Sequence, residues 1–169
     1  MQCSDGVERI SECRLHVLAL RAYLLAKLLW DPRANLDRHT EEFLYAYYGP
    51  AAPQLAQYLE IIQAPVKNPD CHAHIFDRST SCYLDESMLD QATTVLEEAE
   101  ARAANGVYRF HVQLAQLPLQ YVKLTTRRVE GEERRAMLQD FLSVAREAGI
   151  SNISERKSLD KWAEEMTAP

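Results

Sequence analysis

Glycine is scarce in this chain of 169 residues: five occur, each alone, so the clustered glycines that cradle phosphate groups are missing and a nucleotide-binding loop is not expected. Proline is sparse as well, at seven residues, and the two shortages together speak against disorder and against loop-rich β architectures. Basic residues are outnumbered. Nineteen Lys and Arg stand against 25 Asp and Glu, a formal charge of −6, whereas a nucleic-acid partner requires a basic face that releases counterions from phosphates. Lys123, Arg127, Arg128, Arg134 and Arg135 do cluster, but Glu130, Glu132 and Glu133 are interleaved with them, the pattern of a solvated corner between helices. The longest apolar run, Leu15 to Trp30, is interrupted by Arg21 and Lys27 before it reaches the roughly 20 residues of a membrane span, so no membrane partner is expected. The first residues, MQCSDGVERISECR, place acids where a signal peptide carries a basic region followed by an apolar one, and the compartment stays open. Cys3, Cys13, Cys71 and Cys82 form an even set in a chain too long and too apolar to need disulfide staples; their redox state is not fixed by sequence.

What is present is helical periodicity. The chain has the length of one domain with a full hydrophobic core. Leu15, Leu18, Ala22, Leu25 and Leu29 share one helix face and Val17, Leu20, Leu24 and Leu28 an adjoining one, which predicts a central helix stopped at Trp30 or Asp31 by Pro32. Asn35 or Asp37 caps a second helix with Phe43, Leu44, Tyr47 and Tyr48 on one face, closed by Gly49 and Pro50. A third opens with Pro53 in its first turn and carries Ala52, Leu55, Leu59 and Ile62 until Pro65. Residues 65–84 read as a long loop between helical halves, and residues 1–14 as a short lead-in.

Asp85 caps a fourth helix with the stripe Met88 or Leu89, Ala92, Leu96, Ala99 and Ala103; Glu97, Glu98 and Glu100 turn to water, and Asn105-Gly106 ends it. A fifth carries Val107, Phe110, Leu114, Leu117, Tyr121 and Leu124 with a kink expected at Pro118. Leu138, Phe141, Leu142, Ala145 and Ala148 mark a sixth, closed by Gly149, and Ser154 caps a short seventh with Leu159, Trp162, Ala163 and Met166. The expectation is one all-α domain over 1–169, a bundle of about seven helices packed as up-and-down neighbours, without a sheet.

Chemistry is harder to find. Cys71, His72, His74 and Cys82 are the candidate metal ligands, but structural zinc usually presents two close-spaced pairs and Cys82 stands alone, so the ordinary polar loop is the expectation and no metal or other cofactor is assigned. Asp31, Asp37, Glu41 and Glu42 lie near helix ends, where capping explains them, and no Ser-His-Asp arrangement or nucleophile elbow is visible; no catalytic residue is assigned. Trp30, Tyr45, Tyr47, Tyr48 and Tyr83 could form an aromatic platform for sugar rings or a partner. Core packing accounts for Trp30 and Tyr48, which leaves Tyr45, Tyr47 and Tyr83 as the candidate contacts.

LRAYLLAKLLWDP followed by EEFLYAYYGPAAPQLAQYLEII resembles the helical segment of the DUF4838 proteins, and LDQATTVLEEAEARA, RFHVQLAQLPLQYVKL and GISNISERKSLDKWAEE are similar to that family's downstream helices. The resemblance runs from about Leu18 to Glu165. It implies largely uncharacterised bacterial proteins related to glycoside hydrolases, in which a (β/α) barrel precedes the helical part, and members that can be exported. Catalytic carboxylates of such barrels sit at the ends of barrel strands, which this chain lacks, so none is carried over; the matching residues Trp30, Asp31, Pro32, Tyr48 and Gly49 already have structural explanations. The expected function is a non-catalytic C-terminal accessory region of a glycan-degradation-associated protein, with the barrel domain or a second copy as partner. The alternative is a carbohydrate-binding module; an independent hydrolase ranks last.

Overall fold

The computed structural model describes residues 15–65, 84–154 and 156–167. They are predominantly helical, in the order α1 (Leu15–Trp30), α2 (Leu36–Tyr48), a 3₁₀ turn (Gly49–Ala51), α3 (Ala52–Gln63), α4 (Glu86–Arg102), α5 (Gly106–Thr125), α6 (Gly131–Glu147), β1 (Asn152–Ser154), β2 (Lys157–Ser158) and α7 (Leu159–Thr167). The lead-in over 1–14 and most of the expected loop, 66–83, lie outside the described residues.

Short polar side chains set the helix starts. The Asn35, Asp85 and Asn105 side-chain oxygens accept hydrogen bonds from the backbone N–H groups of Arg38, Met88 and Tyr108 at 3.0, 2.7 and 2.9 Å, each satisfying one of the donors a first helical turn leaves orphaned. Asn105 therefore begins α5, where the sequence pattern makes it end α4. After α1, Asp31 Oδ1 accepts from the Arg33 N–H at 3.0 Å and turns the chain into Pro32. Gly149, at φ 74°, closes α6, and the Ile150 N–H reaches back to the Ala145 carbonyl at 2.9 Å, so the left-handed residue satisfies a carbonyl that the helix end would leave bare.

Two cores share one helix. Val112, Ala115, Leu119 and Val122 of α5 pack with Leu44, Tyr48, Leu55, Leu89 and Leu96 from α2, α3 and α4. Leu114, Leu117, Tyr121 and Leu124 on the other side of α5 pack with Leu138 and Phe141 of α6 and with Ile153, Leu159 and Trp162. Each set repeats at the alternating three and four spacing that keeps residues on one face. The central helix is thus α5, and the expectation that α1 is central is corrected: of its side chains described, only Leu20 is buried, and Leu25, Leu29 and Trp30 are exposed. Val107, expected on the α5 stripe, is exposed because the helix has only just begun there. Pro118 removes one backbone donor without ending α5.

The expectation of no sheet is also corrected. Between α6 and α7, β1 and β2 pair antiparallel, with Asn152 opposite Ser158 and Ser154 opposite Lys157. At three and two residues these strands are too short to display a period of two. Ser154 accordingly lies in β1, and Ser158 Oγ, accepting from the Lys161 N–H at 3.3 Å, is the side chain at the start of α7. Glu100 is not turned to water: it is half-buried and accepts from Gln113 Nε2 at 2.9 Å and Gln116 Nε2 at 3.0 Å, tying α4 to α5.

Candidate interaction site

The tyrosines of α2 are built into a row of rings that joins three helices. Tyr23 of α1 lies 5.5 Å from Phe43, Phe43 stacks on Tyr47 at 5.1 Å, and Tyr47 stacks on His111 of α5 at 3.7 Å with the planes 7° apart. Tyr48 meets Tyr47 edge-on at 5.0 Å. His111 Nδ1 lies 2.6 Å from the Tyr47 carbonyl oxygen; since that oxygen only accepts, Nδ1 carries the proton and donates. Burial pushes the phenols of Tyr47 and Tyr48 up from the ordinary value. Tyr47, expected among the accessible sugar-contacting rings, is instead half-buried with one ring face covered by His111.

The turn after this row leaves little freedom. Gly49 has φ 56°, its N–H donates to the Tyr45 carbonyl, and an added Cβ there would overlap the ring of Tyr108. Tyr48, Gly49 and Pro50 thereby set the angle at which α3 leaves α2.

At the far end of α1 the apolar surface is open. Trp30 is 92% exposed, Leu29 86% and Leu25 50%, with Leu36 close by at the start of α2 also exposed. The expectation that Trp30 packs in the core is corrected. Leu25 and Leu29 are four residues apart and so on one face, while Tyr23, packed against Phe43 and crossed by Lys27 Nζ at 5.2 Å from its ring centre, belongs to the covered one. Burying a side chain of this size is worth about 1.5–3 kcal/mol, so a surface that covered Leu25, Leu29 and Trp30 would gain several times the thermal energy.

Polar residues of α2 are engaged with one another. Glu42 accepts from Arg38 Nε at 2.9 Å and pairs with His39 Nδ1 at 2.9 Å, and the hydrogen bonds from His39 and Arg38 hold its carboxyl below the usual value. Tyr45 is exposed. Tyr83 and the candidate metal ligands Cys71, His72, His74 and Cys82 lie outside the described residues; among those described, no group of three or more His, Cys, Asp and Glu is placed to hold a metal. No helix among the described residues is long and apolar enough to cross a membrane.

The family comparison bears on the segment that contains the open end of α1, the rings of Tyr23, Phe43 and Tyr47, and the Tyr48-Gly49-Pro50 turn. Residues 6–60 match DUF4838, a domain of unknown function. The DUF4838 match spans α1, α2, the 3₁₀ turn and most of α3, whereas α4 to α7 lie beyond it. No curated protein and no solved structure matches the chain. Both the Tyr47-Tyr48-Gly49 corner and the exposed Leu29 and Trp30 therefore fall inside the matched segment.

Proposed function

We propose that this chain is a non-catalytic helical accessory module of a glycan-degradation-associated protein, and that the open end of α1 is the face by which it joins its assembly. The observation that carries the reading is the exposure of Leu29 and Trp30 side by side at a helix end, within the DUF4838 segment. Isolated exposed apolar residues are ordinary on protein surfaces, but adjacent ones on one helix end are the usual mark of a contact surface. The barrel context comes from the resemblance of the motifs; the surface comes from the helix. In the form the chain can display by itself, the reading is self-association through α1.

Sedimentation velocity over a range of concentrations tests it. The wild-type chain is expected to shift reversibly above the monomer mass, and the Leu29→Glu/Trp30→Glu variant to stay monomeric with unchanged far-ultraviolet circular dichroism. A wild-type chain that is monomeric throughout and does not enhance the emission of an apolar dye contradicts the proposal.

A second reading, carbohydrate binding, is favoured by the exposed rings of Trp30 and Tyr45. Of the two tryptophans, Trp162 is fully buried, so a change in emission on titration with uronic-acid or hexosamine oligosaccharides reports on Trp30. A flat titration ends this reading.

A further inference from the structure

α2 and α3 fold back on each other across the three-residue 3₁₀ turn and leave an open groove of about 490 Å³ between them, on residues other than the exposed apolar ones of α1. Its two walls are continuous helix faces: Asp37, Thr40, Glu41, Leu44 and Tyr45 follow the three and four spacing on α2, and Ala52, Ala56, Leu59, Glu60 and Gln63 do so on α3. The walls extend over about 12 Å on α2 and about 16 Å on α3 at 1.5 Å per residue, room for two to three turns of a further helix.

The groove is polarised. Near the 3₁₀ turn it is apolar, with a floor of Leu44, Ala52 and Ala56 and a wall formed by the exposed Tyr45; the small alanines are what allow a side chain from outside to approach the helix backbones. Toward the start of α2 and the end of α3 it carries three carboxylates, Asp37, Glu41 and Glu60, all exposed. None of the described lining residues is basic. Three like charges along one cleft raise the local concentration of cations and repel anionic partners.

We infer that the α2/α3 groove receives a basic amphipathic helix of a partner protein, its apolar residues over Leu44, Ala56 and Leu59 and its Lys or Arg residues against Asp37, Glu41 and Glu60. An apolar floor flanked by charge of one sign is the receiving half of helix-in-groove recognition, in which anchors at i, i+3, i+4 and i+7 provide the buried contact and flanking charges set orientation. The complementary charge selects the occupant: an acidic or purely apolar helix leaves the three carboxylates opposed or unpaired.

The test uses the full chain and two fluorescein-labelled model peptides, one an amphipathic helix of Leu and Lys, the other with Glu in place of every Lys. Fluorescence anisotropy is expected to show saturable binding of the Lys peptide and none of the Glu peptide. Glu41→Lys/Glu60→Lys should weaken binding by about tenfold or more, and Ala56→Trp, which fills the floor and keeps the carboxylates, should weaken it comparably. Glu97→Lys/Glu98→Lys, an equal charge change on the exposed face of α4, should leave it within about twofold, as expected for screened distant charges. Equal binding of both peptides, equal loss in the α4 variant, or no effect of Ala56→Trp would overturn the inference. Circular dichroism of each variant confirms that the fold is retained.

Discussion

At Gly49 a backbone demand and a packing demand coincide, since the residue is left-handed and a side chain there would run into Tyr108. Gly49→Ala should therefore lose about 1–2 kcal/mol from the backbone alone, with a further loss from displacing the Tyr108 ring that Tyr108→Ala relieves in a double-mutant cycle measured by urea unfolding. The phenols of Tyr47, half-buried, and Tyr48, buried, make a second expectation. Burial raises the folded-state values of Tyr47 and Tyr48 above 10.0, so the stability that their neutral form confers is intact below pH 10 and is lost as the pH climbs past the unfolded value. Tyrosinate absorbance should accordingly show a cooperative step coincident with the loss of helical circular dichroism; ionisation of every tyrosine before any loss of helix would contradict it. Gly49 and the caps Asn35 and Asp85 were legible in the sequence because their roles depend on local backbone chemistry. Trp30 was not: periodicity states which residues share a face, and cannot state whether another element lies over it. Tyr47 was obscured for the same reason, because His111, the ring that covers it, lies 64 residues away in the chain.

Among the elements, α5 and α1 exchange the roles their compositions suggest. α1 has the more apolar sequence, yet α5, with polar residues between two apolar stripes, is buried on both sides because α2 to α4 lie against one side and α6 with the hairpin and α7 against the other. One of its stripes, Leu114, Leu117, Tyr121 and Leu124, was readable; the other, Val112, Ala115, Leu119 and Val122, contains an alanine and two valines and is inconspicuous beside it. Leu117→Ala and Leu119→Ala, on the two faces, are both expected to lose about 2–5 kcal/mol, while Leu25→Ala on the open side of α1 should stay within about 0.5 kcal/mol. Chemical denaturation of the three variants measures the contrast. An equal loss at Leu25 would place α1 in a core. The strand pair between α6 and α7 was hidden by its brevity, although its Ile153 is fully buried.

For the molecule as a whole, the shared helix couples the two cores, since neither can lose α5 without exposing its own leucines. Thermal unfolding followed by far-ultraviolet circular dichroism and by the near-ultraviolet signal of Trp162, which stacks on Tyr121 at 5.5 Å in the second core, should give superimposable transitions; separated midpoints would show that the cores unfold independently. The same molecule leaves one end of α1 bare, and the proposed role as a docking module depends on that. Acrylamide quenching of tryptophan emission at increasing protein concentration tests it most directly, because Trp162 is fully enclosed and Trp30 is not. The account predicts two emitting populations in dilute solution, one readily quenched, with the quenchable fraction falling as concentration rises and copies cover Trp30. A readily quenched fraction that stays the same at every concentration, or that is missing even at the lowest, would contradict it.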